Sequence, residues 1–348
     1  MKSECNASAA AWIGIDVAKR NFDAALCVVD SQDDPRAFLN APARTFPRTP
    51  HGCAELVTWV EQQVSDGPAR ATMEATGRYS TELAGWILEQ RPAWSPAILQ
   101  PTLAHNFIES LGLRNHTDRL AARGLARYGV ERRPAAYRPP HPQYSKLRDL
   151  VRYRRTLVEQ QTAEKNQAQE VTGTVAVSRM QNRRLRQIAK DITRIEADMR
   201  ALVKKHPGLK DDVALLVSIA GMGFVVAVTL LGELGDLRRF ASGRQLAAFA
   251  GLTPENIKSG DSVHPPTHLL KRGNAHARHI LYLAAMAAIR GQNSFQRFYL
   301  RILAKHPDQP MIALAAVMRK MLVVARAILI HHTPYIAEWN PCGEPSAS

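Results

Sequence analysis

A proline-dense stretch near the middle of the chain, RRPAAYRPPHPQY, separates two halves with different hydrophobic patterns. It holds four prolines in thirteen residues, 132–144. Proline fixes the backbone φ angle and has no N–H to donate, so such a stretch is typical of an extended linker. We therefore expect one domain over residues 1–131, a linker over 132–144, and further structure of another kind after it.

Short strands and helices alternate in the first 131 residues. The apolar runs AWIGIDVAK and ARATMEA predict strands that end at Asp16 and Glu74, and FDAALCVVD alternates like the second strand of a hairpin. Helical spacing is present at 50–64, 77–90 and 117–129. This alternation predicts an α/β domain, a mixed sheet with helices packed on it.

The second half is almost wholly helical in its pattern. Apolar residues occupy the a and d positions of three heptads: Leu185, Ile188, Ile192, Ile195, Met199 and Leu202. Upstream the spacing is looser, because Arg154, Gln161 and Glu164 fall on seam positions. We predict a coiled-coil region over 145–206, an antiparallel helical hairpin broken near Gly173, and a mostly helical domain over 207–348. The seam either joins two copies or packs only within its own chain.

The charge balance points to a polyanionic partner. Lysine and arginine total 46 against 31 acids, which gives a net charge of +15. Twelve of these cations and only three acids lie between Arg114 and Arg155. A clustered excess of this kind is typical of a nucleic-acid-binding surface, although solubility alone is the simpler alternative.

Other sequence features limit where in the cell the chain is expected and which cofactors it could hold. The four cysteines have neither metal-ligand spacing nor the density of a disulfide framework, and no signal peptide precedes the first strand, so we expect a reducing cytoplasm. The apolar stretch MIALAAVMRKMLVVARAILI carries three cations, which predicts a packed helix and no membrane span. The histidines near residue 270 lack a carboxylate or cysteine to complete a zinc set.

Three carboxylates are candidates for metal-assisted chemistry. Asp16 and Glu74 end strands, where α/β sheets open onto their ligand-binding crevice, and Asp118 begins a helix that would reach the same edge. Carboxylate oxygens are the ligands that Mg²⁺ prefers, and Mg²⁺ bridges phosphates. A turn residue, a surface salt bridge and a first-turn acid favoured by the helix dipole are the simpler explanations of the three.

The second half supplies further candidates. Gly221 and Gly223 form a glycine turn between two apolar helices, resembling a helix–hairpin–helix whose backbone N–H groups contact a phosphate. Ser259 stands beside a glycine in a polar loop, where its hydroxyl is accessible to act as a nucleophile. Lys271, Arg272 and Arg278 could bind phosphates near a helix start. A helix corner without a ligand, an ordinary loop residue and solvated charges remain the alternatives.

The order of these blocks resembles that of one known family. WIGIDVAKRNFDAAL, MEATGRYSTELAGWI, HTDRLAARGLARYG, SIAGMGFVVAVTLLGEL, SGDS and KRGNAHARHILYLAA occur in sequence over residues 11–130 and 210–290. They are similar to the DEDD/serine transposases of bacterial insertion sequences, recombinases guided by a bridge RNA. The resemblance implies a RuvC-like domain of the RNase H fold, a coiled-coil region and a helical transposase domain.

The resemblance also implies roles for individual residues. Asp16, Glu74 and Asp118 match the acids that hold Mg²⁺, and Ser259 matches the nucleophile that forms a phosphoserine with DNA. The implied partners are donor and target DNA, a noncoding guide RNA and further copies of the chain in a dimer or tetramer, with a composite site built from two subunits. The nucleic-acid-binding candidates are Arg114, Arg119, Arg123, Arg127, Gly221, Gly223, Lys271, Arg272 and Arg278.

This chain departs from the family pattern at one position. The fourth acid, three residues after the third, is replaced by Ala121. Acids at i and i+3 share one helix face, so the replacement is expected to weaken Mg²⁺ binding without disturbing the helix. Natural divergence and an engineered Asp→Ala change both explain it. The alternative functions are a metal-dependent nuclease or junction resolvase, and a catalytically dead form that still binds nucleic acid.

Overall fold

We describe residues 11–28, 37–64, 69–112, 117–170, 174–255, 268–269 and 273–336 from a computed structural model of the chain. The chain divides into two compact units, Met1–Pro139 and Pro140–Ser348. The boundary falls inside the proline-dense stretch, whose non-helical part runs from 133 to 141.

The first unit is built on one mixed five-stranded sheet. Its strands are β1 (Ala11–Val17), β2 (Asn21–Val28), β3 (Ala43–Pro47), β4 (Ala69–Glu74) and β5 (Ala97–Leu99). They lie in the order β3-β2-β1-β4-β5, with β1, β2 and β3 antiparallel and with β4 and β5 parallel to β1. The sheet confirms the predicted mixed α/β class and is consistent with an RNase H-like fold. The edge strand β3 was not predicted.

Four helices accompany this sheet: α1 (Pro50–Gln63), α2 (Arg78–Gln90), α3 (Pro101–Ser110) and α4 (Asp118–Arg132). Helix α4 begins where the Thr117 hydroxyl accepts a hydrogen bond from the Leu120 N–H at 3.3 Å. It packs closely on β1 because Gly14 has no side chain. A Cβ at Gly14 would lie 1.9 Å from the Ala122 carbonyl oxygen and 2.2 Å from the Ala126 nitrogen. The glycine therefore sets how near α4 comes to the sheet.

The second unit is mostly helical. Its elements are α5 (Pro142–Glu170), α6 (Val175–Lys205), α7 (Pro207–Val217), α8 (Phe224–Leu234), α9 (Gly243–Phe249), β6 (Pro254–Glu255), β7 (His268–Leu269), α10 (Ala275–Ala288), α11 (Ser294–Leu303) and α12 (Pro310–His331). Helix α12 contains the apolar stretch discussed above, and Val317, Met321 and Leu322 are fully buried in the core of this unit. No helix among the described residues is long and apolar enough to span a membrane.

Helices α5 and α6 pack together as a hairpin within the chain. Met199 of the α6 seam is fully buried, and the other predicted seam residues are half-buried. Two of the three polar residues at α5 seam positions, Arg154 and Glu164, form ion pairs with α6. Arg154 Nε lies 2.6 Å from Glu196 Oε1, and Arg184 Nη1 lies 3.4 Å from Glu164 Oε2. The looser spacing of α5 therefore reflects polar contacts across the seam.

Candidate active site

Asp16 and Glu74 lie at the same edge of the first unit's sheet. Strands β1 and β4 are parallel, with Ile15 opposite Met73, so the next residue of each strand is a carboxylate at the carboxyl end. Both side chains are half-buried. Asp118 is the first residue of α4 and is exposed. The structure agrees with the prediction that Asp16 and Glu74 lie at strand ends, and it shows in addition that the two strands are neighbours.

The electrostatics show that the charges of Asp118 and Glu74 act on Asp16. Burial, followed by the negative charges of Asp118, Glu74 and Asp23, raises the pKa of Asp16 to about 6, against the opposing effect of the Val17 backbone hydrogen bond. Burial also raises the pKa of Glu74, and the charge of His105 on α3 opposes that rise. A raised pKa from converging carboxylates is a property of many functional sites, although structural networks produce it too.

Asp23 is a fourth carboxylate in this group and was not among the predicted site residues. It lies directly opposite Asp16 in the β1–β2 register. The Thr45 hydroxyl donates to Asp23 Oδ1 at 2.6 Å, and Arg119 Nε lies 3.7 Å from the same oxygen. Like charges directly opposite each other on antiparallel strands destabilise a sheet. The spacing of the predicted hairpin could have placed Asp23 opposite Asp16, because positions 16 and 23 are equidistant from its turn.

The donor chemistry of the group suits Mg²⁺. Its ligands are hard carboxylate oxygens, and a cation beside Asp16 would relieve the repulsion that raises the pKa of that residue. Within the described parts of the chain, no three His, Cys, Asp or Glu side chains lie close enough together to hold a metal ion. Mg²⁺ commonly uses only one or two protein carboxylates and completes its shell with water and substrate phosphates.

The predicted nucleic-acid-binding arginines of α4 have partners inside the first unit. Arg123 Nε donates to the Ala41 carbonyl oxygen at 2.9 Å, and Arg127 Nε lies 2.5 Å from Glu131 Oε1. Arg119 is exposed and faces Asp23. Arg114 lies outside the described residues. The structure therefore accounts for Arg123 and Arg127 by contacts that support the fold.

The glycine turn of the second unit forms a close helix corner. Gly221 has φ +82°, and a Cβ there would lie 2.4 Å from the Ala284 carbonyl oxygen on α10. Gly223 precedes α8 as its N-cap residue, and a Cβ there would meet nothing within 4 Å. Packing thus explains the first glycine, while the second leaves an open approach to the start of α8.

The structure describes both ends of the segment that carries Ser259, but Ser259 itself lies outside the described residues. At its base, β6 pairs with β7 and the Asn274 N–H donates to the Phe249 carbonyl oxygen at 3.3 Å. Lys271 and Arg272 also lie outside the described residues. Arg278 on α10 donates to the Ala250 carbonyl oxygen at 3.3 Å.

A buried polar network, which the sequence analysis did not find, holds the start of α10. Asn274 caps the helix through the Ala277 N–H and donates to Glu233 Oε2 at 2.9 Å. Arg152 of α5 contacts both oxygens of Glu233 at 2.7 and 2.8 Å. These hydrogen bonds contribute to lowering the pKa of Glu233, against the effect of burial, which is the largest single influence. The network positions the helix that follows the Ser259 segment.

Two family models match the chain in order. One, described as a transposase and built on the IS110 DEDD domain, matches residues 13–174. The other, described as Transposase IS116/IS110/IS902 family, matches residues 213–300. The first match contains Asp16, Glu74 and Asp118, and the second contains Ser259. Together the matches span more than two thirds of the chain.

Similar proteins include two gene-inverting proteins that align over nearly the whole chain. The pilin gene-inverting protein of Moraxella bovis is 29% identical over 326 residues, which is 93% of this chain and 97% of that protein. The pilin gene-inverting protein of Moraxella lacunata matches with the same identity and coverage. The transposase for insertion sequence element IS1111A of Coxiella burnetii is 33% identical over 95 residues, 27% of this chain and 25% of that protein.

Proposed function

We propose that this chain is a member of the IS110/IS116 family of transposases and that it cuts and rejoins DNA by ester exchange at a serine. The observation that carries the proposal is the electrostatic convergence of Asp16, Glu74 and Asp118 in the region that matches the family's DEDD domain. The strand order β3-β2-β1-β4-β5 supports an RNase H-like assignment for this domain, and the family resemblance extends this proposal to a RuvC-like domain.

The proposed chemistry exchanges one phosphodiester for another. The Ser259 hydroxyl oxygen attacks a DNA phosphorus, a serine–phosphate ester forms, and the bond from phosphorus to the 3′ oxygen breaks as that oxygen takes a proton. Attack by a new 3′-OH reverses the step, releases the serine and rejoins the DNA. Because each step conserves one phosphate ester, no high-energy cofactor is needed.

The acids have a separate part in this proposal. One or two carboxylates from among Asp16, Glu74 and Asp118 would hold Mg²⁺ together with water and substrate phosphates, and the bound ion would neutralise charge on phosphate oxygens. Asp23 lies next to Asp16 and adds negative charge that favours a cation there. Ala121 lacks the carboxylate found one turn after the third acid in the family, so we expect weak metal binding in this chain.

Guide RNA and self-association belong to the same proposal. The net charge of +15 supports binding of polyanions, RNA as well as DNA. The far end of the α5–α6 hairpin exposes Val175, Val177 and Met180, with 71%, 41% and 74% of their surfaces accessible. Apolar side chains exposed together are typical of contacts between chains, which supports a dimer or a larger assembly.

A suicide DNA substrate tests the serine assignment. We expect Ser259→Ala to abolish both strand cleavage and the covalent protein–DNA adduct, while DNA binding persists. Ser262→Ala, three residues away in the same segment, is the matched control and is expected to keep the adduct. Cleavage without an adduct by Ser259→Ala would indicate a metal-dependent nuclease. No cleavage by any variant would indicate a form that only binds nucleic acid.

Ala121→Asp tests the acidic part of the proposal. Ala121 is half-buried one turn after Asp118, so the new carboxylate would share its helix face. We expect tighter Mg²⁺ binding by calorimetry and faster cleavage. Equal cleavage by both forms would show that this chain never needed the fourth acid. Sequencing of the RNA that co-purifies with the chain tests the proposed guide RNA. We expect a noncoding transcript from the flank of the chain's own insertion element.

A further inference from the structure

One face of α6 carries a row of cations. Arg179, Arg183, Arg186, Lys190 and Arg194 follow the spacing i, i+4, i+7, i+11 and i+15, which places them along one side of an α-helix. All five are exposed. At 1.5 Å per residue this row, the basic stripe, is about 22 Å long.

The basic stripe lies on the side of α6 away from α5. The apolar seam residues, such as Ile192 and Met199, are about half a turn around the helix from the stripe and are at least half-buried. Their burial comes from packing of α6 on α5. The stripe therefore faces outward from the hairpin.

Several other arginines of the hairpin are paired with carboxylates or stacked on a ring, whereas Arg186 of the stripe donates from its Nε to the Asn182 carbonyl oxygen of its own helix at 3.1 Å. Arg154, Arg155 and Arg184 form ion pairs with Glu196, Glu159 and Glu164, and Arg200 lies 4.2 Å from the Phe224 ring centroid. In the described parts of the chain, no carboxylate lies within 4 Å of a stripe cation. Residues 175–190 contain five arginines and lysines and no acid. The hairpin thus leaves one of its faces with a concentrated positive charge.

We propose that the basic stripe binds the phosphate backbone of double-stranded DNA without reading its sequence. Helix α6 contains no aromatic residue on which single-stranded bases could stack. The seam residues that make up most of its apolar face pack on α5, and its exposed large apolar residues, Val175, Val177 and Met180, lie near its start, which leaves no continuous apolar face along the described length of α6 for insertion into a membrane surface. A two-fold contact between copies through this face would place like charges against each other. Duplex phosphates are the complementary partner that remains.

The dimensions suit this partner. A row of about 22 Å covers roughly two thirds of a DNA turn, whose length is about 34 Å. Lysine and arginine side chains at such positions contact phosphates, which set the placement of the protein but carry no base information. The stripe would hold a length of DNA flanking the site of strand exchange, so this inference rests on the proposed function.

Fluorescence anisotropy tests the inference. It measures the affinity of the full chain for a random 30-base-pair DNA duplex, in EDTA and at a series of salt concentrations. The stripe variant is Arg183→Gln/Arg186→Gln/Lys190→Gln. The control is Lys165→Gln/Lys210→Gln/Lys305→Gln, which removes three exposed lysines elsewhere in the same unit. Glutamine is a good helix former, so both variants are expected to keep the helical circular dichroism and the Tm of the parent chain.

We expect the stripe variant to bind at least about tenfold more weakly at 0.1 M salt and to lower the slope of log affinity against log salt by about 2 to 3. The control is expected to change neither by as much. Arg183→Lys/Arg186→Lys is expected to retain binding, because phosphate contacts need charge more than fork geometry.

Each other outcome overturns the inference in a distinguishable way. Equal losses in the stripe and control variants would show a general charge effect. Loss of duplex RNA binding with DNA binding unchanged would assign the stripe to RNA. Unchanged DNA binding by the stripe variant refutes the stripe alone, and the proposed function then stands on its adduct assay. Failure of the parent chain to bind DNA at all would refute both.

Discussion

Helices α4 and α6 are both rich in arginine, yet the two use their arginines differently. On α4, Arg123 and Arg127 contact the Ala41 carbonyl oxygen and the Glu131 carboxylate of the same unit. On α6, the basic stripe faces outward with no carboxylate nearby in the described residues. Similar composition therefore serves the fold in one helix and leaves charge available to a partner in the other.

The difference teaches that cation content alone does not locate a binding surface. Nearby acids and carbonyl oxygens decide whether an arginine is occupied, and they come either from tertiary packing, as the Ala41 carbonyl does for Arg123, or from the same helix, as Glu131 does for Arg127. Helix α4 packs against the sheet, so its arginines lie close to backbone carbonyl oxygens and to carboxylates. Only one side of α6 is covered, so its opposite side keeps its charge.

The largest expected effect tests the close packing of α4. In Gly14→Ala the new Cβ would clash with the Ala122 carbonyl oxygen and the Ala126 nitrogen, which are backbone atoms that cannot rotate away. We expect a loss of more than about 3 kcal/mol in the free energy of unfolding of the first unit, measured by urea titration.

Gly85→Ala is the matched control, because nothing lies within 4 Å of its Cβ position on α2. We expect that change to be neutral or to stabilise by about 0.5 to 1 kcal/mol, since alanine favours helix over glycine. Equal stability of Gly14→Ala and the parent chain would mean that α4 does not approach β1 as described, and the comparison of the two helices would fail.

The next effect separates occupied from unoccupied arginines. Arg123→Ala removes a charged donor 2.9 Å from the Ala41 carbonyl oxygen, so we expect it to destabilise the chain by about 1.5 to 3 kcal/mol. Arg183→Ala on the basic stripe removes no such contact and is expected to stay within about 0.5 kcal/mol of the parent chain. Chemical unfolding of both variants gives the comparison. A larger loss for Arg183→Ala than for Arg123→Ala would contradict it.

Much of the first unit could be predicted because its signals are local. Strand endings at Asp16 and Glu74, the Thr117 cap and the alternation of β2 all depend on near neighbours in the sequence. The edge strand β3 could not, because its pairing with β2 depends on tertiary contact and only its Phe46 is fully buried. Local pattern therefore found the elements that carry the site but not every element of the sheet.

The groups that surround the site needed the structure. Asp23 contributes to the environment of Asp16 only through the hairpin register, and Arg152 reaches Glu233 from 81 positions away in the sequence. The basic stripe of α6 could be predicted in part. Its helical spacing is present in the sequence, but its lack of acidic partners becomes visible only when the packing of α5 is known.

The smallest effect concerns the pH dependence of the acidic site, where the first unit brings like charges together around Asp16. Because the folded-state pKa of Asp16 is about 6, above its ordinary value of 3.8, the folded chain keeps a proton that the unfolded chain loses between these values. Stability from this residue is thus present below pH 4 and declines as the pH rises to 6.

Asp16→Asn removes that cost, so in EDTA we expect its Tm to match the parent chain at pH 4 and to exceed it by about 2 to 4 °C at pH 8. Differential scanning fluorimetry across this range measures the gap. Asp308→Asn, a change at an exposed aspartate of the second unit, is the control and is expected to show no gap. Mg²⁺ added at pH 8 is expected to raise the Tm of the parent chain and to leave that of Asp16→Asn unmoved, because the cation would offset the repulsion among Asp16, Asp23 and Glu74. A gap that widens as the pH falls would reverse the sign required by burial and would remove the electrostatic basis for the acidic site.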